Sequence, residues 1–334
     1  MSSTQFVDAI DGMDRRTFEA DIRMAGRPVI LKGLASQWPA VQAARTSPEA
    51  LGAYLLSFDT GAPVQVSVCP KALQGRLFYN DDLTGVNYQN VSRSLRAVVE
   101  DCLSGQDDAI YVQAQPVQNV LPAMAGDLDM PLLPRDAPPR IWIGNTLRTQ
   151  THFDYTSNIA VHVAGEKTFT LFPPDQTANL YPGPLDRMPA GVPISMASLE
   201  EPDFVRYPRL KTALDHALVA HLEPGDALFI PPLWWHHVQT TGPLNMLINY
   251  WWNDARPDLV DAMGALHVAA LAFKAMPAAQ RDAWRHMMDY FVFESAGDPV
   301  AHLPEHVRSA FSPGLSPQEM AQFKHLLFGP PKRS

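Results

Sequence analysis

The chain has 334 residues, 46% of them hydrophobic, which is enough apolar side chain to bury a large core and excludes disorder as the dominant state. Its formal net charge of -9 comes from intermixed acidic and basic residues, so the balance carries no footprint for a nucleic-acid backbone and disfavours RNA or DNA as a partner. The two cysteines, Cys69 and Cys102, match neither a zinc pair nor a dithiol motif. Residues 1–10 lack the basic-then-apolar pattern of a signal peptide, and no apolar stretch approaches the roughly 20 residues of a membrane span; a reducing, cytoplasmic setting is expected.

The N-terminal hundred residues read as mixed α/β. A helix is expected over residues 17–24, a strand over 28–32, and a second helix entered at Ser47-Pro48-Glu49, where a serine hydroxyl caps free N–H groups and proline lacks only a donor that would be unused. Residues 64–68 and 110–115 read as strands. The connection 116–139 is rich in Pro and Asp, aperiodic and long, and is expected to be a lid or substrate-binding loop.

From Ile141 to Trp252 short β-rich runs (141–143, 158–163, 168–172, 227–230, 244–252) alternate with Pro, Gly and Asp, the pattern of a sandwich or barrel. After Arg256 apolar residues recur at helical spacing: Leu259, Met263, Leu266, then Trp284, Met287, Met288, Phe291, then Met320, Phe323, Leu327. Ser316 with Glu319 forms a capping box on the last helix, with Pro317 at its first position. The fold class is therefore mainly β with helices, divided into 1–256, with a barrel core of about 110–252, and a helical extension, 257–334. That extension either closes one end of the barrel or serves as a homodimerisation arm.

Residues two apart on an extended chain project to one face, so His152 and Asp154 can offer a nitrogen and an oxygen to a single ion. Further on, a turn and a buried strand, Gly225 to Pro232, lead into Trp234-Trp235-His236-His237, which supplies a third ligand. Two histidines and a carboxylate leave other positions of an octahedral ion open, as in non-haem iron(II) oxygenases. By themselves these residues mark only an unspecified metal site.

The surrounding runs carry more. His152-Phe153-Asp154-Tyr155-Thr156-Ser157-Asn158, Gly165-Glu166-Lys167, Leu171-Phe172-Pro173-Pro174, Pro224-Gly225-Asp226, Trp234-Trp235-His236-His237 and Asn249-Tyr250-Trp251 together resemble the cupin-like, Jumonji-C-related 2-oxoglutarate oxygenases. Within these, the likeness is to the branch of the asparaginyl hydroxylase acting on hypoxia-inducible factor. The resemblance implies a double-stranded β-helix core and iron(II) on His152, Asp154 and His236, leaving His237 behind the ligands or structural. It also implies that Lys167, Thr149 and Tyr111 hold the distal carboxylate of 2-oxoglutarate, and that Asn158 and Asn249 lie near its metal-bound end. Gln113 and Trp251 fall on the substrate side. Lys167 shares strand parity with Phe169 and Leu171, in keeping with an inward direction. His162 reads as a core residue, and Trp234, Trp235 and Trp252 as large core residues at the barrel mouth.

The implied reaction couples decarboxylation of 2-oxoglutarate by dioxygen to hydroxylation of a protein or peptide side chain or a small amino-acid-like molecule; demethylation uses the same chemistry. A cupin-type metal isomerase or lyase and a non-catalytic interaction module are the alternatives. The first leaves Lys167, Tyr111 and Thr149 unexplained, and the second predicts a lost ligand, which this sequence does not show.

Overall fold

The computed structural model describes residues 4–134, 137–185, 191–254, 261–304, 307–308 and 316–328. The chain divides into two compact units, Met1–Arg256 and Pro257–Ser334. In the first, Asp14 caps a helical stretch that runs from Arg15 to Ala25 through a wider turn at Phe18–Ile22, and Gly26, at φ 60°, ends it. The helix Pro48–Ser57 starts as its sequence dictates, with the Ser47 hydroxyl accepting from Ala50 N at 3.1 Å.

Thirteen strands among the described residues join in one mixed sheet: β1 Gln5–Phe6, β2 Asp8–Asp11, β3 Val29–Lys32, β4 Pro63–Cys69, β5 Arg76–Leu77, β6 Gln89–Ser94, β7 Ala109–Pro116, β8 Pro139–Gly144, β9 Leu147–Phe153, β10 Ser157–Phe172, β11 Leu218–Leu222, β12 Ala227–Ile230 and β13 Trp235–Trp252. The main order is β2-β3-β12-β10-β13-β8-β7-β4-β6, with β11 added to β10 and β9 to β13. The antiparallel pair β10 and β13 is the spine. On its far edge β10 pairs first with β12 and then with β11, while β13 pairs first with β9 and then with β8. Each long strand therefore leaves one half of the sheet and enters the other, folding it over on itself as a jelly roll.

The sequence separates the runs 158–163 and 168–172; the structure joins them in one strand. β10 is continuous, and the register shifts around Ala164 are a bulge that bends the strand. Gly165 sits there at φ 84°, and a Cβ on it would lie 1.9 Å from the Asn245 Oδ1. Both the backbone conformation and the close approach demand glycine. Residues 244–252 likewise continue from Trp235 in one strand.

Alternation sorts the strands. Ile110 and Val112 of β7, Ile141 and Ile143 of β8, Ile159 and Val161 of β10 and Ile248 of β13 point outward into the largest core cluster, where Leu51, Leu55, Val98 and Val99 of two helices cover them. The connection 116–139 joins this same cluster through Val117, Val120, Leu121, Met124 and Leu132. The expected lid is thus mostly core, its aperiodic run broken into short helical turns at Val117–Val120 and Pro122–Asp127; among its described residues only Pro138, near its end, reaches the cavity described below. Asp226 clamps β12 to β3, its buried carboxylate accepting from Gly33 N at 2.9 Å and pairing with Lys32 at 2.7 Å.

The second unit contains helices Ala262–Phe273, Ala278–Phe291 and Pro317–Phe328. The Ser316 and Glu319 capping box closes in both directions, at 2.8 and 3.3 Å. Trp284 stacks on Phe273, ring centroids 5.3 Å apart, yet no residue of the first two helices is buried. Leu259 and the side chains of Phe323 and Leu327 lie outside the described residues. Among the described residues no helix is long and apolar enough to cross a membrane.

Candidate active site

The inward face of the folded sheet lines a cavity of about 620 Å³. At one side of it, antiparallel pairing of β9 with β13 sets His236 directly opposite His152. Asp154 is the first residue past β9, and its carbonyl accepts from Leu233 N at 2.7 Å, which ties the turn leading into β13 to the end of β9. One ligand atom each from His152, Asp154 and His236 lies within 4.8 Å of the others. His152 donates from Nδ1 to the Gln150 carbonyl at 2.8 Å, and His236 from Nδ1 to the Trp234 carbonyl at 3.0 Å, leaving each Nε2 lone pair free for an ion.

Burial holds both imidazoles at about 4, so they are neutral at physiological pH, as ligands must be. Burial also pushes the Asp154 carboxyl up, against the pull of the neighbouring His236, Trp251 and Asn158. The Trp251 Nε1 makes no hydrogen bond of ordinary geometry, but its N–H favours the charged carboxylate. Two neutral nitrogens and a carboxylate lacking a full counter-charge fit a divalent cation with open positions.

His237 faces the other way. Its Nε2 pairs with Glu200 Oε1 at 2.7 Å and its Nδ1 lies 3.4 Å from the Thr151 hydroxyl, so β-strand alternation separates it from the three-residue cluster.

Lys167, Thr149 and Tyr111 line the same cavity. Lys167 is 7% exposed, and among the described residues no carboxylate pairs with it. Burial alone brings it down to about 7, to the edge of losing its charge at neutral pH. Tyr111 lies beside Thr149, and burial pushes its phenol well up, so it stays protonated as a donor. Asn249 Nδ2 donates to Asn158 Oδ1 at 2.8 Å, while Asn249 Oδ1 is buried without a partner. Both amides line the cavity, and that orphaned oxygen is a place for a donor.

Gln113 and Trp251 also line the cavity; Gln113 donates to the Ser67 hydroxyl at 3.2 Å, and Trp251 packs edge-to-face on Trp142 at 5.9 Å. The structure thus brings all ten predicted site residues to one cavity. His162 is core, fully buried and bonded to the Gly165 carbonyl at 2.9 Å. Trp234 and Trp235 are core as well, their indoles donating to the Gly26 carbonyl at 3.0 Å and the Thr177 hydroxyl at 2.9 Å.

Sequence reasoning missed Arg140 and Trp142 on the cavity wall and Glu200 behind it. A signal existed for the first two: in Arg140-Ile141-Trp142-Ile143 the polar and aromatic residues share one parity, opposite to the isoleucines.

Comparison with known proteins agrees with this architecture. The family profile described as "Cupin-like domain" matches residues 15–257. HSPB1-associated protein 1 of Homo sapiens is 37% identical over 113 residues, 33% of this chain and 22% of that protein. Lysine-specific demethylase JMJ31 of Arabidopsis thaliana is 26% identical over 285 residues, 74% of this chain and 49% of that protein. Jumonji C domain-containing protein 5 of Drosophila melanogaster is 24% identical over 265 residues, 74% of this chain and 59% of that protein. The chain therefore spans less than two thirds of the length of each of these relatives. With the profile matched across most of its length and a His-Asp-His cluster of the kind used by non-haem iron oxygenases on the inner face of its jelly roll, this chain belongs to the cupin-like domain family.

Proposed function

We propose that the chain is an iron(II)- and 2-oxoglutarate-dependent dioxygenase that hydroxylates a protein or peptide side chain or an amino-acid-like molecule. The observation that carries this reading is Lys167, a buried lysine with no carboxylate partner among the described residues, in the cavity that His152, Asp154 and His236 enter. An isolated buried ammonium is costly, and a dicarboxylate cosubstrate supplies the missing charge. A metal isomerase or lyase would leave Lys167 without a task.

His152, Asp154 and His236 would hold iron(II), and Lys167 with the Tyr111 and Thr149 hydroxyls would hold the distal carboxylate of 2-oxoglutarate. When bound, iron and 2-oxoglutarate supply activation of dioxygen and oxygen insertion into a substrate C–H bond, with release of succinate and carbon dioxide. The chain's own groups orient and exclude: the Asn158–Asn249 pair fixes Asp154, and Trp142 and Trp251 keep one wall dry. No general base is needed. Demethylation uses the same chemistry and the motifs do not separate it from hydroxylation; the named JmjC relatives favour a protein substrate.

The buried free thiols Cys69 and Cys102 support a reducing, cytoplasmic setting. The unburied Leu266, Leu271, Trp284 and Met287 support a homodimer through the second unit, to be checked by light scattering on wild type and Leu271→Glu. The oxygenase reading is tested by succinate release from 2-oxoglutarate under air with iron(II) and ascorbate. Iron-dependent succinate, lost in His152→Ala and Asp154→Ala, is the expected result; no succinate with any candidate substrate, together with no iron-dependent 2-oxoglutarate binding, overturns it.

A further inference from the structure

Among the described residues the cavity holds one charged group that the proposed chemistry does not use. Arg140, near the start of β8, lies opposite Asn249 of β13 and Pro116 of β7, and shares the inward parity of Trp142. Its Nη1 donates to the Ala114 carbonyl at 2.8 Å, and its guanidinium carbon lies 5.6 Å from the centre of the Trp251 ring. Both partners are neutral, and among the described residues no carboxylate pairs with it.

This placement is built. β7 shifts register between Val112 and Gln115, and within that bulge Ala114 adopts φ 44°, a left-handed conformation that is unfavourable for a non-glycine residue. The bulge presents the Ala114 carbonyl to Arg140, and Trp251 supports the guanidinium from below. Trp251 lines the same cavity as Asp154, which brings Arg140 and a ligand of the candidate metal to one space.

We infer that Arg140 receives a carboxylate of the substrate and sets it beside the metal, so that the substrate class is carboxylate-bearing. The inference rests on the oxygenase reading. Under that reading the two negative charges of 2-oxoglutarate are matched by Lys167 and by a divalent ion already partly neutralised by Asp154. Arg140 is the positive charge left over, with a planar fork suited to a carboxylate. An alkylammonium substrate, such as a methylated lysine, would place a cation against this guanidinium and is disfavoured.

The test uses zinc-loaded, full-length protein saturated with 2-oxoglutarate, in which turnover does not occur, and measures binding by calorimetry. One set of probes is blocked pentapeptides, Gly-Gly-Xaa-Gly-Gly, with Xaa as Asp, Glu, Asn or Gln; the other is N-acetyl amino acids and their amides. The carboxylate member of at least one pair should bind about tenfold tighter, as one charge-assisted hydrogen bond provides. Which set shows the preference tells a side-chain carboxylate from a free α-carboxylate. Arg140→Gln, which keeps a donor for Ala114, should abolish the preference and leave 2-oxoglutarate affinity unchanged, whereas Arg140→Lys should retain part of it. Equal binding of both members, no binding of either, or a preference that survives in Arg140→Gln overturns the inference. Failure of metal-dependent 2-oxoglutarate binding in the wild type is a separate result and removes the oxygenase reading beneath it.

Discussion

The pair between buried His237 and half-buried Glu200, 2.7 Å apart, fastens the segment that follows Ile194 onto the back of the strand whose front carries His236. Gln239 and Ser198 add hydrogen bonds to the same carboxylate, each at 3.2 Å. One wall of the cavity is therefore held from behind.

Glu200→Ala should destabilise the protein by about 1–3 kcal/mol, the range for a buried hydrogen-bonded partner removed from one side. Burial raises the Glu200 pKa, but the His237 hydrogen bond and charge outweigh it and hold the carboxyl below its ordinary 4.5. A depressed carboxylate contributes stability that is complete above 4.5 and fades as the pH falls below it. Denaturant melts of wild type and Glu200→Ala should thus differ at pH 7 and converge in acid; a gap that widens in acid contradicts the assignment.

Lys167 is also held below its ordinary pKa, but because burial disfavours its charged form, so its charge costs stability where that of Glu200 adds it. Its pKa in the fold is about 7 and its ordinary value 10.5, so between those limits the unfolded chain binds more protons, and stability without cosubstrate rises with pH across that window. Replacing the buried ammonium by an apolar side chain of similar length relieves its desolvation. Lys167→Met should raise Tm without cosubstrate at neutral pH by roughly 2–4 °C, on the order of 1 kcal/mol, and should weaken 2-oxoglutarate binding at least tenfold. Calorimetric melts with and without 2-oxoglutarate check both halves. A variant less stable than wild type would mean that Lys167 has a structural partner.

Gly165→Ala tests the bend of β10. The substitution forces a Cβ to 1.9 Å from Asn245 Oδ1 at φ 84°, so a loss of about 2–4 kcal/mol is expected. The smaller side chain of Asn245→Ala should recover part of it in the double variant, because the clash is removed and the backbone strain is not. A fully additive double variant would show that the two residues do not oppose each other.

These sites differ in how far the sequence disclosed them. His152, Asp154, Lys167 and Asn158 were legible because strand alternation is a local property, and motifs around them carried the family likeness. Gly165 was legible as a backbone punctuation mark, but whether it ended a strand or bent one depended on pairing with β13, far away in the chain. Residues 116–139 were misread for a related reason: without periodicity, nothing local shows that Val117, Leu121 and Met124 find an apolar surface on the outside of the sheet. The Glu200–His237 pair and the fork of Arg140 join segments that only the folded sheet brings together.

The most direct test of the central claim is anaerobic calorimetry of 2-oxoglutarate binding to the full-length protein with and without iron(II). Saturable one-to-one binding that requires iron, disappears in Asp154→Ala and weakens in Lys167→Met is the predicted result. Binding indifferent to iron and to Asp154, or no binding with iron present, would contradict it.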